Sequence, residues 1–280
     1  MPTIAVIGSV NLDIVAKVAR LPEPGETVTD GELYRYPGGK GANQALAAQR
    51  LGGDVTLIAR VGEDAASDEA LTLLREGGVD LSHCLTVPGV PTGTALIAVA
   101  PSGENQIVVA PGANRSLEPG DVEIPNADAL ICQLEVPVDT VALAAETFAG
   151  FLCVNLAPAM RIDVSVLQRA DLIVVNETES AWYGATLGAC TGMVATTRGA
   201  GLATLEKDGA VLAEARPPVV DAVDTTGAGD TFTAALTLAL VEGQTPQDAL
   251  EFACAAGAVT TTRMGAQPSL PMRHEVISNG

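Results

Sequence analysis

Six short runs along the chain are apolar at nearly every position and rich in β-branched residues: 3–7, 55–59, 129–132, 151–155, 172–175 and 193–196. Apolar runs of this length, without a polar residue at every second place, are the pattern of strands covered on both faces, as parallel strands are. Between them lie stretches of helical periodicity. Residues 42–51 carry Ala45, Leu46 and Ala48 on one side and stop at Gly52-Gly53, and residues 68–76 stop at Gly77-Gly78. Glycine closes helices because it enters the left-handed region without a Cβ clash. A strand, turn and helix rhythm of this kind predicts an α/β fold, with a mostly parallel central sheet flanked by helices on both faces.

Two stretches break the rhythm. Residues 12–36 and 92–111 read as short strands separated by turn residues, Pro22-Glu23-Pro24-Gly25 in one and Ser102-Gly103-Glu104-Asn105 in the other, with no helix between them. A small antiparallel β lid inserted twice into the α/β core accounts for both. No low-complexity linker, internal repeat or charge block divides the chain, so residues 1–280 read as one folding unit bearing that lid.

Composition narrows the class of partner. With 34 acidic residues against 15 basic ones, a net charge of −19 repels nucleic acid and anionic membranes, local basic pockets aside. The five cysteines, Cys84, Cys132, Cys153, Cys190 and Cys254, are scattered and form no C-x-x-C pair, which suggests neither a zinc site nor a disulfide framework. Gly8, Asn11 and Asp13 interrupt the first apolar positions, and no run of about 18 apolar residues occurs. A reducing cytoplasm is the expected setting.

Candidate chemistry concentrates in residues 219–242. There Asp224-Thr225-Thr226-Gly227-Ala228-Gly229-Asp230 leads into the apolar helical stretch 231–240. Two glycines opening a helix let first-turn amides approach a ligand, and the helix dipole adds partial positive charge, so an anion is the expected guest. A carboxylate beside such a cluster would compete with a bound phosphate unless it served another end. Asp230 could take a proton from an alcohol while the amides hold charge on a transferred phosphoryl group. Taken alone, the string reads more readily as a tight turn whose aspartate caps the helix. It is not a Walker P-loop, and the first strand does not run into a G-x-G-x-x-G turn.

Other segments extend the pattern. Gly8-Ser9-Val10-Asn11-Leu12-Asp13, Pro22-Glu23-Pro24-Gly25-Glu26-Thr27, Gly38-Gly39-Lys40-Gly41-Ala42-Asn43-Gln44-Ala45, Asn176-Glu177-Thr178-Glu179, the 224–230 string and Gly265-Ala266-Gln267-Pro268-Ser269 together resemble the ribokinase-like, phosphofructokinase-B-type carbohydrate kinase family. They follow the family's order over nearly the whole chain, which is the context a short glycine motif lacks by itself.

The resemblance implies transfer of the ATP γ-phosphoryl group to the 5-hydroxyl of D-ribose. Asp230 corresponds to the catalytic base, and Gly227, Ala228 and Gly229 to its anion hole. Asn11, Asp13, Gly39, Lys40, Asn43 and Glu135 correspond to sugar contacts. Read without the family, Asn11 and Asp13 are turn residues, Lys40 follows a glycine hinge, and Glu135 is a surface acid after a strand. Asn176 and Glu179 correspond to the motif that organises Mg2+ and the triphosphate, although by themselves they read as a capped helix start. Thr196, Gly201, Gly229 and Cys254 fall at nucleotide-contacting positions. Asp224, Thr226, Thr260, Arg263, Gly265 and Ser269 match a loop that binds a monovalent cation, so K+ activation is expected. The family also implies a homodimer paired through the lid.

Three departures fall on the nucleotide side. Arg198 stands at the first glycine position of the loop containing Gly201, the stretch between Glu179 and Thr196 is about a helix short of the family pattern, and Cys254 replaces a histidine that faces adenine. A kinase of another furanose or of a nucleoside is the nearest alternative, although three Tyr, four Phe and one Trp offer little surface for a nucleobase. A non-catalytic sugar-binding regulator is the alternative of another class, and the intact Asp230 string argues against it.

Overall fold

A computed structural model describes residues 1–277; residues 278–280, part of the single unit expected above, lie outside the described residues. The chain opens with β1 (Thr3–Ile7), β2 (Asn11–Lys17), β3 (Glu32–Gly38), helix α1 (Lys40–Arg50) and β4 (Asp54–Gly62). Helices α2 (Ala65–Ala70) and α3 (Thr72–Gly77) follow, then β5 (Cys84–Val87), β6 (Gly93–Val99) and β7 (Asn105–Ala110). The middle comprises β8 (Ala129–Cys132), α4 (Val138–Thr147), β9 (Phe151–Asn155), α5 (Val164–Arg169), β10 (Leu172–Asn176), α6 (Glu177–Tyr183) and β11 (Met193–Thr197). The chain then runs through β12 (Ala203–Lys207), β13 (Ala210–Ala215), α7 (Ala228–Val241), α8 (Pro246–Thr260), α9 (Ala266–Ser269) and α10 (Arg273–Ile277).

Nine strands form one sheet in the order β13-β12-β11-β10-β9-β8-β1-β4-β5. The pairs from β5 to β11 are all parallel, and β12 and β13 continue the sheet antiparallel. The apolar runs are unbroken because both faces are covered. In β1, Ile4 and Val6 join a core with α1, α7 and α8, while Ala5 and Ile7 join a second core with α4 and α5. Helix α7 is buried almost all round, and its buried threonines are satisfied internally: Thr231, Thr233 and Thr237 each donate a hydroxyl to the carbonyl four residues back.

The segments expected to form a lid make a separate four-stranded sheet in the order β3-β2-β6-β7. It is mixed rather than antiparallel. Each segment is an antiparallel pair, β2 with β3 and β6 with β7, but the first strands of the two pairs run side by side in the same direction. Both leave the central core at the same end and head outward, so their adjacent strands must be parallel. The single helix expected over residues 68–76 is divided at Leu71, where the Thr72 hydroxyl donates to the Asp68 carbonyl.

Candidate active site

The parallel strands point their carboxyl ends at a cavity of about 340 Å³ lying between the central sheet and the four-stranded one, the usual ligand position in open α/β sheets. Asp230 enters it from the first turn of α7. That turn begins at Gly227, which holds a left-handed φ of 83° and where a Cβ would come within 3.2 Å of Ala266 Cα. Glycine there lets the chain turn sharply into the helix. The Ala228 amide donates to Thr225 O at 3.3 Å. For the Gly229 and Asp230 amides no acceptor occurs among the described residues, as expected of a helix's first turn.

Asp230 does not cap its helix. Its carboxylate turns toward α1, where Asn43 Nδ2 donates to Oδ2 at 2.8 Å and Gln44 Nε2 donates to Oδ1 at 2.9 Å. Burial drives its proton affinity above the ordinary carboxylate value, against the pull of Lys40 and the two amides. Lys40, the first residue of α1, borders the same cavity. Burial alone would lower its ammonium, but Asp230, Glu135, Glu179 and Asp13 together hold it above the usual lysine value.

The glycines before α1 allow this crowding. Gly39 has φ 90°, and a Cβ at Gly41 would lie 2.5 Å from the Gly8 backbone. Glu135, just beyond β8, accepts from Ser9 Oγ at 2.5 Å and from Lys40 N at 3.1 Å, so it joins the end of β1 to the start of α1. Asp13 on β2 is pushed up to about 7, first by burial, then by Glu135 and Asp230, with Lys40 opposing. Asn11 is buried beside it and accepts through Oδ1 from Asn114 Nδ2 at 2.8 Å. Asn11, Asp13, Gly39, Lys40, Asn43, Glu135 and Asp230 therefore converge on one cavity.

On the nucleotide side the placement is more varied. Asn176 and Glu179 form a reciprocal capping box at the start of α6, with Glu179 N donating to Asn176 Oδ1 and Asn176 N to Glu179 Oε2. Both also border the cavity. Thr197 does so in place of Thr196, whose side chain is buried at the next position of β11. Gly201 closes a turn by donating to Arg198 O, and the Arg198 guanidinium is tied to Leu202 O at 2.8 Å. Cys254 is buried in α8 against β13, its thiol 4.0 Å from Ala215 O, and does not border the cavity.

The loop expected to hold a cation is drawn together by backbone contacts. Val223 N and Asp224 N donate to Thr261 O, Gly265 N donates to Asp224 Oδ2 at 2.9 Å, and Thr226 donates twice to Asp224 Oδ1. Thr260 donates to Thr231 Oγ1, Arg263 pairs with Glu275, and Ser269 donates to Ala266 O. The Asp224 carboxylate in this loop is an oxygen ligand of the kind hard cations take.

Several site residues carried no local signal in the sequence. Ala95, Ile97, Ile107 and Val109 form an apolar wall contributed by β6 and β7. Asn155 and Asn114 supply buried amides, as does Gln44, which lies within the glycine-rich string 38–45 but has no role assigned there. The first four lie in a segment already expected to cover the core, but which face they present depends on strand register.

Comparison with known proteins places this geometry. Residues 1–273 match the pfkB family carbohydrate kinase domain. The chain is 37% identical to a ribokinase of Haemophilus influenzae over 300 residues, covering 98% of this chain and 97% of that protein. The crystal structure of a Thermotoga maritima ribokinase superposes with a TM-score of 0.91 at 33% identity, covering 99% of each chain. An Arabidopsis thaliana ribokinase solved with ribose and ATP gives a TM-score of 0.85 at 29% identity, covering 99% of this chain and 98% of that one.

Proposed function

Since the chain belongs to the pfkB family of carbohydrate kinases, we propose that it transfers the γ-phosphoryl group of ATP to the 5-hydroxyl of D-ribose, giving ribose 5-phosphate and ADP. The observation that carries the mechanism is the Asp230 carboxylate, gripped by Asn43 and Gln44 in the cavity that also holds Asn11, Asp13 and Lys40. Asp230 accepts the hydroxyl proton as the sugar oxygen attacks phosphorus. The bond from phosphorus to the bridging oxygen breaks, and that oxygen leaves on ADP. The Gly229 and Asp230 amides, at the positive end of α7, hold charge on the moving phosphoryl oxygens.

Asn11, Asp13, Gly39, Lys40, Asn43 and Glu135 hold the sugar, offering paired donors and acceptors to its hydroxyls. The nucleotide lies toward Asn176, Glu179 and Thr197, with Gly201 in the loop after β11 and with Thr196 and Cys254 buried outside the cavity lining. Among the described residues no three acidic, His or Cys side chains gather into a metal cluster. Asn176 and Glu179 would stand beside Mg2+ and its waters, and the ion would offset charge on the triphosphate. The loop of Asp224, Thr226, Thr260, Arg263, Gly265 and Ser269 would hold K+. When bound, it supplies fixed positive charge next to the anion site, and exchange for a large organic cation is expected to depress turnover.

The four-stranded sheet acts as a lid on a single kinase unit. A bare sugar suits it better than a nucleoside, because its wall toward the cavity is Ala95, Ile97, Ile107 and Val109, with no aromatic ring on which a base could stack. Leu96 and Val108 are exposed, and among the described residues β7 pairs only with β6, features that support pairing of two lids in a homodimer. No helix of the described residues is long and apolar enough to cross a membrane, and the scattered free thiols fit a cytoplasmic enzyme. The deciding experiment offers pentoses, hexoses and nucleosides with ATP and follows ADP release. Ribose should be the preferred acceptor, and a preference for a nucleoside, or no turnover with any acceptor, would overturn the assignment.

A further inference from the structure

Gln44 is fully buried and does not border the cavity, yet its side chain touches the acid on which the proposed chemistry turns. The orientation of its amide follows from backbone groups of fixed polarity. Val174 O can only accept, so Asn155 presents Nδ2 to it at 3.1 Å and turns Oδ1 toward Gln44. Asn155 Oδ1 and Asp230 Oδ1 are then two acceptors facing one side-chain amide. The group between them must be the NH2 of Gln44, at 3.1 Å from the first and 2.9 Å from the second.

The carbonyl oxygens of Gln44 and Asn43 have no hydrogen-bond partner among the described residues, so both amides are oriented by what their nitrogens donate to. Four charged groups face Asp230 from the elements around it: Lys40 on α1, Glu135 beyond β8, Asp13 on β2 and Glu179 on α6. Lys40 alone among these favours the ionised acid. The two amides are the remaining groups that oppose the effect of burial.

We infer that Gln44 is a positioning residue for Asp230: oriented by Asn155, its Nε2 fixes one carboxylate oxygen and holds the acid where it can accept the sugar proton. The inference rests on the reading of Asp230 as the base. Gln44 works through that acid and does not touch substrate.

The test is Gln44→Met, which keeps the length of the side chain and removes the donor. With ribose and saturating ATP, the acid limb of the kcat/KM profile should move up by about one pH unit, and kcat at neutral pH should fall about tenfold. The KM for ribose should stay within about twofold. Asn155→Ser, which leaves Gln44 in place but unanchored, should shift the limb the same way by less, and it carries the test if Gln44→Met does not fold. An unmoved acid limb, whether activity is kept or lost, overturns the inference. The two readings separate cleanly. Normal turnover by Asp230→Asn would remove the base itself, whereas an inactive Asp230→Asn beside an unaltered Gln44→Met would remove only the role of Gln44.

Discussion

Asn114 donates through Nδ2 to Asn11 Oδ1 at 2.8 Å, and this contact sets which end of the Asn11 amide a ligand meets. The polarity of Asn114 is itself fixed, because its Oδ1 accepts from Val10 N at 2.9 Å and its Nδ2 also donates to Val10 O at 3.2 Å. Backbone groups cannot reverse, so Asn11 keeps its oxygen turned inward and its NH2 as the donor available to the cavity. Replacing Asn114 by Leu leaves Asn11 unanchored beside an unsatisfied Val10 amide. The KM for ribose should rise about tenfold, the scale of one mispaired buried polar group, with kcat at saturation changed by only a few-fold. Steady-state kinetics with an unchanged KM would contradict this.

Asp230→Asn keeps the shape of the side chain and removes its basicity. If the acid takes the sugar proton, kcat falls by about 10²–10⁴, the usual size of a general-base contribution. Ribose affinity, measured by calorimetry, should change far less. A variant that turns over at the normal rate would show that the proton leaves by another route.

Asp13 ties stability to pH. Its carboxyl titrates near 3.8 in a free chain and at about 7 in the fold, so between those values the folded state binds more protons than the unfolded one. Its contribution to stability is therefore lost as pH rises through that window. Asp13→Asn removes the penalty. The ligand-free variant should be more stable than the parent at pH 7.5 by about 2–4 kcal/mol, from the size of the shift, and the difference should vanish near pH 4. Urea unfolding across that range checks it, and a constant difference would contradict it.

Gly229 separates folding from chemistry. Among the described residues nothing lies within 4 Å of a Cβ built there, its φ is not positive, and it borders the cavity. Gly229→Ala should leave the protein as stable or up to about 1 kcal/mol more stable, since alanine favours a helix. Activity should fall at least tenfold, because the new methyl would stand beside the amides proposed to meet the phosphoryl group. Thermal unfolding and kinetics on the same sample distinguish the two effects. Full activity would move the phosphoryl group elsewhere.

Much of the fold was legible because its signals are local. Runs such as 3–7 and 172–175 stay apolar at successive positions because helices cover both faces of the sheet. Gly227 was legible for the same reason, since a left-handed residue before an apolar helix requires glycine. The parallel pairing of β2 with β6 was not, because it depends on where two hairpins separated by the whole of α1 to β5 leave the core.

The amino-acid sequence by itself determined the layered α/β architecture, the glycine-opened start of α7 and the presence of an acid there, because each follows from residues adjacent along the chain. Tertiary structure alone decided which groups hold that acid. Gln44 lies 186 residues from Asp230, and Asn114 lies 103 from Asn11. Which amide end faces which oxygen depends on buried backbone groups brought together by folding, and no periodicity or spacing encodes that polarity.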